Sequence, residues 1–166
     1  MNSFESLFDS LNQAGVRYVL VGGLAVVLHG HARMTADVDL VVDLAPDEAA
    51  KTIKALVSLG FKPRPPVDPE GFADPKMRQS WVAEKGMMVF TMFDPANPMR
   101  VVDLFVTQPL PFQELWAGSE VLPLATTSVR VASIQDLIRI KRAAGRPRDI
   151  EDIEALEAIL RRKSDS

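Results

Sequence analysis

The sequence predicts an α/β (α+β) fold: a mixed, twisted β-sheet with flanking helices and a short helical pair at the C-terminus. Three observations lead to this prediction. Short apolar runs typical of buried strands recur along residues 16–131. Between them lie segments whose apolar residues have helical spacing. Residues 132–166 contain two helical patterns and no strand pattern.

The length of 166 residues suits one domain covering residues 1–166. We expect an α/β core at residues 1–131 followed by C-terminal helices at residues 132–166. A chain of this size buries roughly 70% of its unfolded surface, which is enough for a conventional core. We find no linker, internal repeat or low-complexity segment that would require a second domain.

Composition excludes several classes of protein. The net charge of −3 does not indicate a protein that coats nucleic acid, and the absence of cysteine excludes disulfides and thiolate metal sites. The N-terminal residues carry acids and amides rather than a basic flank and an apolar run, so they do not resemble a signal peptide. No apolar stretch reaches the roughly 20 residues that span a bilayer. We therefore expect a cytoplasmic protein without membrane association.

The first half of the chain alternates helices and strands. Phe4, Leu7 and Leu11 have helical spacing, and Gly15 follows as a stop signal. Pro46 begins a later helix that ends at Gly60. The predicted elements are a helix at residues 2–14, a strand at 16–21, a short helix at 24–28, a strand at 38–42, a helix at 46–59 and a short strand at 61–62.

The second half begins with the segment Pro63–Pro75, which contains five prolines and is predicted to be a loop. The sequence leaves open whether this loop is an acceptor-binding lid. Ser133 is predicted to cap a helix, which Gly145 ends. The predicted elements are hairpin strands at residues 81–84 and 87–93 about Lys85-Gly86, a strand at 100–106, a short helical or irregular piece at 112–117, strands at 121–124 and 128–131, and helices at 133–144 and 147–161.

Acidic residues interrupt the apolar strands at three positions. In VLVGGLAVVLHGHARMTADVDLVV, which runs from Val19 to Val42, Asp37 and Asp39 are two residues apart. In a strand they would therefore share a face, roughly 6.5–7 Å apart. Two carboxylates at that spacing repel each other beside an apolar sheet, and a divalent cation resolves the conflict. The pattern is typical of a metal-dependent enzyme that acts on phosphates.

The third acid, Asp103, lies in the middle of RVVDLFV. An unpaired buried carboxylate costs several kcal/mol, so an acid within a short apolar strand is unusual. If this strand neighbours that of Asp37 and Asp39, about 4.8 Å away, the three carboxylates converge. We predict that they are catalytic and bind two Mg²⁺ ions, with Mn²⁺ as an alternative. The other interpretations are a turn-and-cap role for the first two acids and a water-facing edge position for Asp103.

Gly22 and Gly23 stand where an apolar strand gives way to a short helix. Such a turn lets backbone N–H groups approach an anion at a helix N-terminus. Tight packing between strand and helix explains a glycine pair equally well. The combination with Thr35, Asp37 and Asp39 shortly afterwards is more specific, and it points to phosphate binding.

Together these segments resemble a known signature. VGGLAVVLHGHARMTADVDLVV is similar to the GG…(D/E)x(D/E) motif of the nucleotidyltransferase fold, the superfamily of DNA polymerase β, and RVVDLFV resembles its third-acid strand. The resemblance covers roughly residues 18–107. It implies a two-metal transfer of a nucleoside monophosphate from an NTP, with pyrophosphate leaving. In that role, Asp37 and Asp39 bind both metals, Asp103 binds the catalytic metal and accepts or orients the acceptor proton, and Gly22 and Gly23 cradle the triphosphate.

The C-terminal segment SIQDLIRIKRAAGRPRDIEDIEAL resembles the KxxAxRxRDxxDL segment of bacterial nucleotidyltransferases of the abortive-infection, type IV toxin kind and of their small stand-alone relatives. The resemblance implies that Lys141 reaches the triphosphate and that Arg146 or Arg148 assists. Asp149 is assigned a structural role, because it falls in a first helical turn and complements the helix dipole. Asp152 matches a second acid of the motif.

Two further groups of residues carry alternatives. Arg33 and Thr35 lie in the loop before Asp37 and are predicted to contact phosphate, with Thr35 also bracing the turn. A basic cluster on the C-terminal helices suits a triphosphate or an RNA backbone, whereas the alternative is a solvated helix face. Its members are Arg139, Lys141, Arg142, Arg146 and Arg148.

Three hypotheses follow for function. The first is an NTP- and Mg²⁺-dependent nucleotidyltransferase whose acceptor is RNA or tRNA, as in a type IV toxin with a cognate antitoxin protein. The second is a small-molecule nucleotidyltransferase resembling those that modify aminoglycosides or lincosamides. The third is a nucleotide- or partner-binding module without activity. The sequence leaves the NTP, the acceptor and the oligomeric state open.

Overall fold

The computed structural model describes residues 3–165. Its helices are α1 (Ser3–Gln13), α2 (Gly22–Leu28), α3 (Pro46–Ser58), α4 (Pro75–Lys85), α5 (Phe112–Gly118), α6 (Ile134–Ala144) and α7 (Asp149–Ser164). Its strands are β1 (Tyr18–Val21), β2 (Asp37–Val42), β3 (Lys62–Pro63), β4 (Val89–Asp94), β5 (Asn97–Phe105), β6 (Glu120–Pro123) and β7 (Ser128–Val131). A 3-10 helix, Pro69–Ala73, precedes α4.

The described strands form one mixed sheet in the order β3-β4-β5-β2-β1-β7-β6. Strand β2 is antiparallel to β1 but parallel to β5, and β1 is parallel to β7. Helices flank the sheet, and α6 packs against α7 as the C-terminal pair. The predicted mixed α/β fold with a helical pair at its end is therefore confirmed.

The two faces of the sheet differ in what covers them. Residues paired across neighbouring strands share a face, and successive residues alternate between faces. On one face, Trp81 of α4 stacks on Phe90 at 5.1 Å between ring centroids, and Phe72 stacks on the same ring at 5.6 Å. Met92 and Leu104 on that face are fully buried. The other face carries the three acids, and α2 contacts it at β1 and β2. Val19, Val21 and Val41 lie on the same face as the acids and are also fully buried, so both faces of the sheet contribute to the core.

The predicted hairpin about Lys85-Gly86 is wrong. Residues 75–85 form helix α4, in which Asp74 caps the first turn by accepting from the Lys76 N–H, and Gly86 ends the helix at φ +60°. The hairpin lies further along the chain, between β4 and β5, where Asp94 pairs with Asn97. The sequence led to the error because Trp81 favours a strand, whereas its ring is buried by tertiary packing on the sheet.

The proline-rich segment Pro63–Pro75 is only partly a loop. Pro63 belongs to strand β3, Pro69 begins the 3-10 helix, and Pro75 begins α4. Proline is well tolerated in the first turn of a helix, since its missing N–H would have no partner there. Phe72 is fully buried and anchors the segment on the core. Its prolines therefore mark helix starts as much as loop.

Candidate active site

The predicted adjacency of the acidic strands is confirmed. Strands β2 and β5 are parallel neighbours, and Asp39 is the register partner of Asp103. Asp37 pairs with Val101 one step along the same face. The three carboxylates therefore lie on one face of the sheet, where Asp37 is exposed and the other two are half-buried.

Gly22 lies directly against Asp39. A Cβ atom at position 22 would stand 2.1 Å from the Asp39 Oδ2 atom and 2.8 Å from its Cγ atom, and the residue has φ +74°. Only glycine fits both the space and the left-handed backbone. The backbone at the strand-to-helix turn is therefore placed beside an acidic side chain, as a phosphate-binding turn next to a metal ligand would require.

Gly23 makes a similar approach to the loop before β2. A Cβ atom there would lie 2.8 Å from the Thr35 Oγ1 atom and 3.3 Å from the Arg33 Nη1 atom. The glycine pair thus brings the loop and the acidic strand onto the start of α2. Four predicted site residues (Gly22, Gly23, Arg33 and Thr35) are neighbours beside Asp39 in the fold.

Burial and mutual repulsion perturb two of the acids. Burial, then the negative charges of Asp103 and Asp37, raise the pKa of Asp39 to about 7. Burial is also the main cause that raises the pKa of Asp103, and Asp37 adds to it. A hydrogen bond between the Asp39 and Asp103 carboxyls acts to raise the pKa of Asp39 and to lower that of Asp103. Raised carboxyl pKa values in a cluster are a frequent property of functional sites.

Thr91 on β4 holds Asp103 from the other side. It is the register partner of Asp103, and its hydroxyl donates to the Asp103 Oδ1 atom at 2.6 Å. This hydrogen bond favours the ionised carboxylate and acts to lower its pKa. The role of Thr91 is not predictable from the sequence, because nothing local to β4 indicates which strand it pairs with.

The chemistry of the donor set fits a divalent cation. Asp37, Asp39 and Asp103 supply carboxylate oxygens, the ligands that Mg²⁺ prefers, and a cation would relieve the repulsion that raises the pKa of Asp39. Among residues 3–165, however, no three acidic or histidine side chains already stand in a coordination cluster.

Lys141 occupies a buried ionic cluster at the junction of α6 and α7. Its ammonium lies 3.2 Å from the Asp149 Oδ1 atom and 3.0 Å from the Asp152 Oδ2 atom, and only 5% of the residue is exposed. Arg146 donates to Asp149 at 2.8 Å. Although burial acts to raise it, hydrogen bonds from Arg146 and Lys141 lower the pKa of Asp149. The structural role of Asp149 is thereby explained by ion pairing.

Asp152 connects this cluster to the loop of the site. The Arg33 Nη1 atom donates to the Asp152 Oδ2 atom at 2.6 Å, and the His31 Nε2 atom lies 3.8 Å from its Oδ1 atom. Lys141 also lies close enough to act on Asp39, and its positive charge opposes part of the rise in the pKa of that carboxyl. Asp152 therefore fixes the loop at residues 31–35 and Lys141 together beside the acids.

The predicted basic cluster is largely neutralised by the chain itself. Within residues 3–165, four of its five cations form ion pairs. Arg139 pairs with Glu114, Arg142 with Glu157, and Lys141 and Arg146 with the buried acids described above. An RNA backbone would have to compete with these carboxylates for the same cations.

None of the helices in residues 3–165 combines the length and apolarity needed to cross a bilayer. His29 is buried at the end of α2. Its Nε2 atom lies 2.8 Å from the Ala132 carbonyl oxygen.

Comparison with known proteins finds the same architecture elsewhere. The chain matches no protein-family model and no curated protein. Among solved structures, it is similar to ANT(2″)-Ia in complex with adenylyl-2″-tobramycin, with 13% identity and a TM-score of 0.60 over 95% of this chain and 87% of that one. It is also similar to the lincosamide antibiotic adenylyltransferase LnuA, lincomycin-bound, with 18% identity and a TM-score of 0.60 over 94% and 95%.

The chain has the nucleotidyltransferase fold. A third similar structure is an antigenic nucleotidyltransferase-like protein from Paracoccidioides brasiliensis, with 18% identity and a TM-score of 0.56 over 91% of this chain and 72% of that one. In this chain, Asp39 and Asp103 are register partners on two neighbouring strands beside the glycine turn, and the sequence signature had predicted this adjacency.

Proposed function

We propose that the protein is a metal-dependent nucleotidyltransferase that transfers a nucleoside monophosphate from an NTP to an acceptor hydroxyl. The observation that carries the proposal is the register pair of Asp39 and Asp103, with Gly22 packed against Asp39. Burial, with nearby negative charges adding to it, raises the pKa values of both carboxyls, so their ionised forms are unfavourable here unless a cation compensates them.

Residues near the glycine turn would hold the triphosphate. The backbone at Gly22 and Gly23 allows close approach of an anion, and Arg33 lies at the same turn. Lys141 supplies a fixed positive charge from α6. Because Arg33 and Lys141 are both paired with Asp152, a triphosphate would have to share or displace those pairs. Arg146, paired with Asp149, would contribute from further away.

The proposed reaction exchanges one oxygen for another at the α-phosphorus of the NTP. The acceptor hydroxyl oxygen forms a bond to the α-phosphorus of the NTP, and the bond from that phosphorus to the bridging oxygen breaks, so pyrophosphate leaves. The hydroxyl proton passes to Asp103 or through it to solvent; Thr91 keeps that carboxylate oriented. Mg²⁺ bound to Asp37, Asp39 and Asp103 would neutralise charge on the phosphates and activate the hydroxyl.

A small-molecule acceptor is the second candidate. The solved structures that share the fold include ANT(2″)-Ia in complex with adenylyl-2″-tobramycin and the lincomycin-bound adenylyltransferase LnuA. The lincomycin-bound enzyme aligns over nearly its whole length with nearly all of this chain, so size is no argument against such an acceptor. An RNA-directed toxin with a cognate antitoxin stays a prediction from the sequence resemblance.

The test uses the full chain with Mg²⁺, each α-labelled NTP in turn and three acceptors: tobramycin, lincomycin and an oligoribonucleotide with a free 3′-hydroxyl. We expect label transfer and pyrophosphate release with one of them. Asp103→Asn should lower the rate by about 10²-fold or more, since it removes the carboxylate proposed to accept the hydroxyl proton.

The matched control is Asp165→Asn, which removes an exposed carboxylate at the end of α7 and should leave the rate unchanged. Calorimetry with Mg²⁺ and each NTP separates the remaining hypothesis. NTP binding without transfer or pyrophosphate release would favour a nucleotide-binding module. Absence of both binding and transfer would refute the proposal.

A further inference from the structure

A row of register partners crosses the sheet on the face of the acids. Asp39 pairs with Asp103 and Asp103 with Thr91. The row continues beyond β4, since the Arg64 backbone N–H donates to the Thr91 carbonyl at 2.9 Å just after β3. Strands are about 4.8 Å apart, so the Cα atom of Arg64 lies roughly 10 Å from that of Asp103. A long side chain at this position reaches the space above Asp103.

The Arg64 side chain is a cation that the chain leaves available. The residue is exposed, and within residues 3–165 no carboxylate is in ion-pair contact with it. Its guanidinium carbon lies 5.7 Å from the centre of the Phe93 ring, which is half-buried on the same face. Its charge also acts on Asp103 and opposes part of the rise in the pKa of that carboxyl. The other arginines near the site are committed to carboxylates, as Arg33 is to Asp152.

Arg64 and the glycine turn lie at opposite ends of this row. Gly22 contacts Asp39, whereas Arg64 lies beyond Thr91 on the far side of Asp103. In phosphoryl transfer the attacking and leaving oxygens are roughly in line on opposite sides of the phosphorus. If the triphosphate lies at the glycine turn, as the proposed function requires, the acceptor approaches from the side of Arg64.

We infer that Arg64 binds an anionic group of the acceptor, and that the acceptor is therefore a phosphate-bearing nucleotide whose reacting hydroxyl lies near that phosphate. Arginine binds phosphate through charge-assisted hydrogen bonds, and an adjacent aromatic ring suits a base. Either a free mononucleotide or the 3′ end of an RNA provides this chemistry. A polycationic aminoglycoside would instead meet an uncompensated positive charge. The inference rests on the proposed function and specifies its acceptor class.

The experiment measures acceptor binding separately from NTP binding. The full chain is saturated with Mg²⁺ and a nonhydrolysable NTP analogue and titrated in a calorimeter with AMP, with an oligoribonucleotide ending in a 3′-hydroxyl, with tobramycin and with lincomycin. The variants are Arg64→Glu and Arg64→Lys. Lys85→Glu is the matched control, because it makes the same charge change on an exposed residue at the end of α4.

We expect AMP or the oligoribonucleotide to bind the wild type, and the stronger of the two identifies the source of the phosphate. Arg64→Glu should weaken that binding at least about tenfold, or about 1.4 kcal/mol. Arg64→Lys should keep it within about threefold, and affinity for the NTP analogue should change less than about twofold. Lys85→Glu should match the wild type.

Several results would overturn this inference and leave the proposed function standing. One is binding of tobramycin or lincomycin but of neither phosphate-bearing probe. The others are acceptor binding weakened equally by Lys85→Glu, acceptor binding unchanged in Arg64→Glu, or an equal loss of affinity for the NTP analogue in Arg64→Glu. A wild type that binds none of the acceptors but binds the analogue would do the same. Failure to bind the NTP analogue with Mg²⁺ would instead refute the proposed function, and this inference with it.

Discussion

Replacing Asp39 with asparagine should stabilise the metal-free protein while abolishing its activity. The carboxyl is buried beside two other acids, and its pKa is raised from an ordinary value of 3.8 to about 7. Between these two pH values, the folded protein holds a proton that the unfolded chain has released. Stability therefore falls as pH rises from about 4 to about 7, and the loss is complete above pH 8.

The size of the effect follows from the raised pKa. A pKa difference of one unit between the folded and unfolded states corresponds to about 1.4 kcal/mol. The rise in the pKa of Asp39 from 3.8 to about 7 therefore limits the loss of stability at pH 8 to about 4 kcal/mol. An amide at this position cannot ionise and can still donate a hydrogen bond to Asp103. We expect Asp39→Asn to gain about 3 kcal/mol at pH 8, or roughly 6–12 °C in Tm for a chain of this size.

Thermal unfolding at pH 5 and pH 8, with and without Mg²⁺, measures the effect. In the absence of metal, the variant should exceed the wild type at pH 8, and the difference should shrink towards pH 5, where most of the wild-type carboxyl is protonated. Mg²⁺ should raise the Tm of the wild type at pH 8 by mass action and leave the variant nearly unchanged. Nucleotidyl transfer by the variant should fall to background.

Asp165→Asn is the control, because its carboxylate is exposed; it should change stability by less than about 0.5 kcal/mol at either pH. If Asp39→Asn were less stable than the wild type at pH 8 without metal, or if its gain did not depend on pH, the reasoning from buried, mutually repelling carboxylates would be refuted.

Three further variants test the surroundings of the acids. Gly22→Ala should lower the free energy of unfolding in urea by about 1–3 kcal/mol and eliminate NTP binding, because its Cβ atom would overlap a carboxylate oxygen. The control Gly60→Ala has open space around its Cβ atom, so it should cost only about 1 kcal/mol of backbone strain and keep NTP binding. Lys141→Met should lower the free energy of unfolding by about 3–5 kcal/mol, since it leaves two buried carboxylates without their ammonium partner. Its control is Arg142→Met on the same helix, which removes an exposed ion pair and should cost less than about 1 kcal/mol in the same assay. Thr91→Val should move the acidic limb of the pH–rate profile to higher pH, because the lost hydrogen bond favours the ionised acid, and the serine variant should restore it.

Much of the site could be predicted locally. Asp37 and Asp39 share a face because the side-chain period of a strand is two, and this holds wherever the strand lies. The same period places Asp103 on one face of β5, whereas its sequence neighbours Val102 and Leu104 are buried on the opposite face. The glycine pair marked a strand-to-helix turn in the sequence, and the structure confirms it at Gly22 with its positive φ.

Local reasoning failed where packing overrides propensity. Trp81 and the residues after it favour a strand by composition, yet they belong to helix α4, because the tryptophan ring is buried against Phe90. The prolines of residues 63–75 indicated a loop, although two of them begin helical turns. Phe72 and Trp81 both stack on Phe90 of β4, and neither local pattern indicates this packing.

The sequence by itself determined which residues could serve as metal and phosphate ligands, because the alternation of a strand and the backbone freedom of glycine are properties of a few consecutive residues. Only the tertiary structure decided which strands are neighbours, and hence that Asp39 faces Asp103, that Thr91 and Arg64 extend the same row, and that Asp152 holds both Arg33 and Lys141. Pairing between strands and ion pairs across the fold depends on the free energy of the whole packed chain, which no short segment encodes.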